Sequence, residues 1–173
     1  SDCNTRRIYY GVNNVPTLFL DGSTKFANAI SQEKMDISYN TPSFFDIRGS
    51  FTLNGSTITV IADFMPYINI KNLKAYVTVN EKTTTKNIGS NGETEFHHIL
   101  MKMLGSPSGT KLDFEAGTYQ RLEFSHDMTS TNVEELDDLE VAIWIQNPTT
   151  KEVLNSRFAY EYTEHVYPAQ NVN

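Results

Sequence analysis

The chain has 173 residues, with 21 Asp and Glu against 14 Lys and Arg, a net charge of −7. That balance excludes a polyanion such as nucleic acid as the natural partner. A domain of this length buries about 70% of its unfolded surface and needs no covalent staple. Its single cysteine, Cys3, rules out an internal disulfide and a multi-cysteine metal site. The longest apolar run, Val141–Ile145, is far too short to cross a bilayer as a helix.

In chain order, the first 37 residues differ from the rest. Pro16 begins a short apolar strand, and Asp21-Gly22 turns it into Ser23–Ile30. Ser31 is an N-cap for a brief helix through Gln32, Glu33 and Lys34, ended by Ile37-Ser38 and Pro42. The segment Gly11-Val12-Asn13-Asn14-Val15-Pro16-Thr17, followed by Leu-Phe-Leu-Asp-Gly, resembles the cis-proline loop and hairpin that end the thioredoxin fold. The resemblance implies a cis Val15–Pro16 bond, with Val15, Pro16 and Thr17 as a structural or peptide-docking loop. The redox Cys-x-x-Cys and the preceding βαβ portion of that fold are missing from this sequence.

After residue 40 the pattern is strand alternation. Phe45, Ile47, Gly49, Phe51 and Leu53 alternate with polar residues, and so do Ile58, Val60, Ala62 and Phe64 beyond Asn54-Gly55. Asn-Gly accepts the positive φ angles of a type I′ turn, so this reads as a long hairpin with one apolar face. Leu73–Val79 follows, then a Thr-, Asn- and Lys-rich connection over Glu81–Glu95. Further strands are expected at His97–Leu104, Thr118–Phe124, Leu139–Ile145 and Glu152–Tyr160. β-branched and aromatic residues far outnumber Ala and Leu, as suits a pleated surface. These strands predict an Ig-like antiparallel β-sandwich of about seven strands, preceded by a partial thioredoxin-like hairpin. A membrane barrel is the rival, but seven uneven strands are too few and irregular for it. The expected domains are 1–37, the sandwich over 38–166, and a tail over 167–173.

Four stretches occur together in one family: Leu73–Glu81 (LKAYVTVNE), His98–Gly105 (HILMKMLG), Val141–Asn147 (VAIWIQN) and Thr150–Leu154 (TKEVL). With the thioredoxin-like tail, they resemble the twenty-eight-kilodalton outer-membrane protein family of Bacteroidetes. The resemblance implies an outer-membrane lipoprotein, anchored by a lipid outside this segment. It also implies an adhesin or surface-receptor role and brings no catalytic motif.

The candidate chemistry is sparse. Cys3 follows Asp2 rather than a small residue and has no apolar leader before it, so it reads as a free thiol. His97 and His98 point to opposite faces of a strand, and neither His126 nor His165 has ligand spacing to them, so no metal is expected. The acidic run Glu134–Glu140 lacks the spacing and the glycine of an EF-hand loop and reads as a solvated loop. No Gly-x-Ser-x-Gly elbow or phosphate-binding Gly-rich loop is present.

The remaining handle is the set of tyrosines near the two ends: Tyr9, Tyr10, Tyr160, Tyr162 and Tyr167. They form either a binding surface or the seam between the thioredoxin-like tail and the sandwich, and the tail's need for cover favours the seam. The expected function is a non-catalytic envelope module for binding, adhesion or scaffolding, without a cofactor, whose partner is a host or envelope macromolecule. The alternative is an accessory domain of a redox protein whose active site lies upstream.

Overall fold

The computed structural model describes residues 1–26, 29–86 and 92–161. It opens with helix α1 (Asp2–Tyr10), which the sequence reading does not anticipate. The helix is capped by Ser1 and closed by Gly11 at φ 65°, a left-handed stop that glycine adopts freely. The Val15–Pro16 bond is cis. A small hairpin follows, β1 (Leu18–Leu20) and β2 (Thr24–Phe26), then helix α2 (Gln32–Tyr39). Ser31 caps α2 as expected, accepting from the Lys34 amide at 3.4 Å. The helix continues through Ile37-Ser38, and its end is tied off by Asn40 and Thr41 bonding back to Asp36 and Ile37 carbonyls.

The rest is a β-sandwich of two open antiparallel sheets, with one strand more than the alternation picks out. The first sheet holds β3 (Phe45–Asn54), β4 (Thr57–Pro66) and β8 (Gln120–Asp127), in the order β3-β4-β8. The second runs β10 (Val153–Phe158), β9 (Leu139–Gln146), β5 (Ile70–Thr84), and then β6 (Phe96–Leu104), with β7 (Thr110–Phe114) beside the first half of β5. Strand β7 is the extra one, too short and too close to the Gly105–Gly109 loop to stand out.

The long hairpin pairs without a slip from Phe45↔Pro66 to Asn54↔Thr57. Its turn residues are therefore Gly55 and Ser56, one position beyond the expected Asn-Gly pair. Only Gly55 has positive φ there, at 60°, so the type I′ expectation is not met. The alternating apolar residues do face one core: Ile47, Ile58, Val60 and Phe64 pack against Val77, Val79, Val141, Ile143 and Ile145. A Cβ on Gly49 would overlap Ile143 Cδ1, which explains the gap in the alternation there. Beyond β10 the chain crosses to the first sheet, where Tyr160 exchanges backbone bonds with Gly49 (3.0 Å) and Phe51 (2.8 Å).

On the first sheet's outer face, Asp63 is fully buried and takes a two-pronged contact from Arg121 of β8 at 2.8 and 2.9 Å. That hydrogen bond holds the Arg121 guanidinium above its ordinary pKa.

The expected mobile connection begins later than Glu81. Strand β5 runs on to Thr84, and Glu81 is 0% exposed. Its carboxylate accepts the Glu134 amide at 3.0 Å and the Glu135 amide at 2.6 Å. The acidic run answers in kind. Glu134 accepts the Thr85 and Lys86 amides at 2.9 and 3.0 Å, and Asp138 accepts the Thr83 amide at 2.8 Å. The run is thus a clasp across the sheet end, which corrects its reading as a solvated loop. Glu81→Ala would strand two part-buried amides and cost about 1–3 kcal/mol. Chemical denaturation should show Glu81→Ala well below wild type, with Glu81→Gln between them.

Candidate functional site

The outer face of the second sheet carries Tyr76, Thr78, Met103 and Gln146, all nearly buried although they point away from the core. The N-terminal elements cover them. Helix α1 lies near β6, where Asp2 accepts the Met103 amide at 2.9 Å and sits 3.5 Å from Lys102 Nζ. From the middle of α1, Arg6 reaches down onto the sheet. Its guanidinium carbon is 4.3 Å from the Tyr76 ring centre, 4.6 Å from Tyr9, 4.9 Å from Tyr10 and 5.8 Å from Trp144. Tyr76 and Trp144 stack nearly parallel, with centroids 5.1 Å apart and planes 12° apart. A guanidinium among ring faces is attracted by their quadrupoles and is easier to desolvate than an ammonium.

Gln146 organises the polar half of this seam. Its Oε1 accepts from Arg6 Nη2 at 3.2 Å, and its Nε2 donates to Tyr10 Oη at 2.8 Å and to the Lys151 carbonyl at 2.6 Å. Arg6 Nη2 also donates to Tyr10 Oη at 3.0 Å, and Lys151 Nζ donates to the Tyr9 carbonyl at 2.7 Å. The β1–β2 turn closes the other end. Asp21 O accepts the Val153 amide at 2.7 Å, and a Cβ on Gly22 would come within 2.8 Å of Gln146 Nε2. Only glycine lets the hairpin approach this closely, and its φ of 70° requires the same residue. On the far side, Gly109 lies flat against the Tyr76 ring, and Tyr76 Oη donates to Ser108 O at 3.3 Å.

Two depressions flank the docked hairpin. The smaller, of about 370 Å³, lies over β9 and β10 between Trp144 and Phe158, walled by Tyr10 and Phe19. The larger, of about 1,080 Å³, runs between the hairpin, α2 and the sandwich edge. Its rim carries Tyr39 at 89% exposure and Phe44 at 51%, with Ile37 and Ile68 also exposed.

Tyr9 and Tyr10 therefore sit half-buried in the seam, in ring contact with each other at 4.9 Å. Tyr160 lies elsewhere, bonded to β3, and Tyr162 and Tyr167 fall outside the described residues. Val15 is 87% exposed and Pro16 and Thr17 continue that loop, with Thr17 Oγ1 donating to the Asn14 carbonyl at 2.6 Å. His97 and His98 turn to different acids, Glu95 at 3.0 Å and Glu140 at 2.8 Å. Sequence reasoning missed Arg6, Gln146 and the larger groove. The signal for Arg6 was its i, i+3, i+4 spacing to Tyr9 and Tyr10 on one helix face.

No family model and no curated protein matches this chain. Among solved structures it is similar to HBP35 of Porphyromonas gingivalis, with a TM-score of 0.74 and 14% identity. The match covers 99% of this chain and 62% of that one, so this chain spans less than two thirds of the HBP35 chain. That likeness extends over the N-terminal elements and the sandwich together and establishes the fold. A Bifidobacterium adolescentis GH3 beta-glucosidase overlaps at a TM-score of 0.25 and 10% identity, covering 75% of this chain and 19% of that one, too weak to carry an argument. The solved neighbour comes from a Bacteroidetes species, in line with the link expected from sequence, though no match bears on the twenty-eight-kilodalton family itself.

Arg6→Ala should release the seam without unfolding the sandwich. Gln146 Oε1 would lose a charged donor, and four rings their shared cation, at a cost of about 1–3 kcal/mol. Limited proteolysis should then cut within residues 1–40 several-fold faster, while the main thermal transition shifts little.

Burial pushes the Tyr9 phenol above its ordinary pKa, with Tyr76 and Tyr10 adding and Arg6 opposing. A raised folded-state value means that Tyr9 favours the docked seam at pH below 10 and that this contribution fades as pH rises through the folded value. Tyr9→Phe should keep the seam and flatten that alkaline loss, read by the pH dependence of proteolysis in residues 1–40.

Proposed function

We propose that the chain is a non-catalytic binding or scaffolding module of a cell-envelope lipoprotein, held at the outer membrane by a lipid outside this segment. Its partner in this reading is a protein of the envelope or the host. Residues 1–37 are taken as the end of a thioredoxin-like domain, placed against the sandwich as a fixed part of the binding surface. The observation that carries the proposal is the large groove between α2, the hairpin and the sandwich edge. Tyr39, Phe44, Ile37 and Ile68 form one exposed apolar rim there, the mark of a surface meant to be covered by another protein. Asp21 ties the banks together, its carbonyl taking the Val153 amide and its carboxylate the Ser38 hydroxyl of α2, so a partner meets a preformed surface and little ordering entropy opposes binding. What supports the envelope setting is the sequence resemblance to the twenty-eight-kilodalton outer-membrane protein family.

Two measurements test this. The full-length protein, followed through membrane fractionation with palmitate labelling in its own cells, should enter the outer-membrane fraction and take up label. Unlabelled recovery in the soluble cytoplasmic fraction would overturn the lipoprotein reading. Purified chain carrying Tyr39→Ala and Phe44→Ala should bind detergent-solubilised outer-membrane protein at least about tenfold more weakly than wild type, since exposed aromatics dominate such interfaces. Equal binding would remove the groove from the account.

A further inference from the structure

The cavity beside Trp144 follows from cross-strand register. On the outer face, Trp144 of β9 stands between Tyr76 on β5 and Ser156 on β10. One row along, Ala142 stands between Thr78 and Phe158. Trp144 and Phe158 thus occupy one diagonal of a two-by-two block, and Ala142 and Ser156 the other. Diagonal neighbours are about 7–8 Å apart, so two large rings rise on either side of two small side chains and leave a slot. Tyr10 and Phe19, with centroids 5.0 Å apart, wall it on the N-terminal side. The slot of about 370 Å³ is the size of a small-molecule site.

Its polar groups are few and mixed. The Ser156 hydroxyl has no partner among the described residues. Asp21 accepts the Ser38 hydroxyl through one oxygen only. Arg157, between Ser156 and Phe158 on β10, turns its guanidinium to the first sheet instead, donating to the Ile47 carbonyl at 3.4 Å and lying 3.7 Å from Asp46.

We propose that this slot binds a neutral saccharide. A pyranose ring presents a C–H face that packs on aromatic walls, edged by hydroxyls that both donate and accept. Trp144, Phe158, Phe19 and Tyr10 meet the first requirement, and Asp21 and Ser156 the second. A wholly apolar ligand would bury the Ser156 hydroxyl and the second Asp21 oxygen without partners. An anion would meet the Asp21 carboxylate. A cation would meet the positive charge of Arg6, which already engages the faces of Tyr10 and Trp144. This inference goes beyond the protein-binding groove and does not depend on it.

Trp144 is the chain's only tryptophan, so all tryptophan emission comes from a residue that walls the slot. The whole chain is titrated with cellobiose, maltose and diacetylchitobiose. At least one should give a saturable emission change with a dissociation constant on the order of 1 mM. Phe158→Ala, at a side chain already 54% exposed, should weaken it about tenfold while leaving the fold intact. Ser156→Leu should fill the slot and abolish the response. Leu53→Ser, at the β3–β4 turn, should leave it unchanged. No emission change with any of the three sugars at about 10 mM would overturn the proposal. So would unchanged affinity in both slot variants, or a stronger response to choline or anilinonaphthalene sulfonate than to every sugar.

Discussion

The buried hydrogen-bonding capacity of Gln146 constrains everything built on the outer sheet face. A side chain at 0% exposure needs partners for both its carbonyl and its amide. It finds them in Arg6, Tyr10 and the Lys151 carbonyl, which come from α1 and from the turn after β9. Those partners fix where α1 must lie, and α1 in turn covers Tyr76, whose exposure falls to 2%. Neither helix has a buried residue of its own. Amphipathic packing therefore does not hold the N-terminal elements; a polar and cation–aromatic network does.

That network explains which parts of the fold are legible in the sequence. The β3–β4 hairpin stands out because one face is buried along its whole length, so Phe45 to Phe64 must alternate. Helix α1 does not stand out, since its contact face is Arg6, Tyr9 and Tyr10 rather than an aliphatic stripe, and apolar periodicity cannot register a buried guanidinium. Strand β5 reads as ending near Val79 for a related reason. Glu81 looks like the start of a loop, yet it faces inward because the Glu134 and Glu135 amides meet it there. In each case a polar group occupies a buried position that a pattern of apolar residues leaves blank.

The candidate sites divide along the same line. Tyr9 and Tyr10 invite attention by composition, and their place in the seam follows from the need to cover Tyr76 and Trp144. The slot between Trp144 and Phe158 depends on pairing three strands in register, with a shift between Val153 and Asn155 on β10. A one-residue slip there would turn Ser156 and Phe158 to the opposite face and leave no slot. Spacing along a single chain holds no such information. The larger groove is equally invisible, because its banks are about a hundred residues apart and meet only through the docked hairpin.

The excess of acids takes on a different meaning in three dimensions. A charge of −7 reads as a surface property, and much of it is internal wiring. Asp2, Glu81, Asp113, Asp127, Glu134 and Asp138 each accept a backbone amide, several of them far away in the chain. A carboxylate accepts such a bond more strongly than a neutral oxygen does. It also ties a strand end or loop to a distant segment, as a disulfide would in a small extracellular domain. Hydrogen exchange should therefore be slow at Met103, Thr83, Thr85 and Glu134, and markedly slower than at amides of the same loops that lack a carboxylate. These acids keep their charge while bonded, so the long-range field still turns away polyanions but does not choose among neutral ligands. Selection falls to shape and to the few uncommitted groups beside Trp144 and along the groove rim.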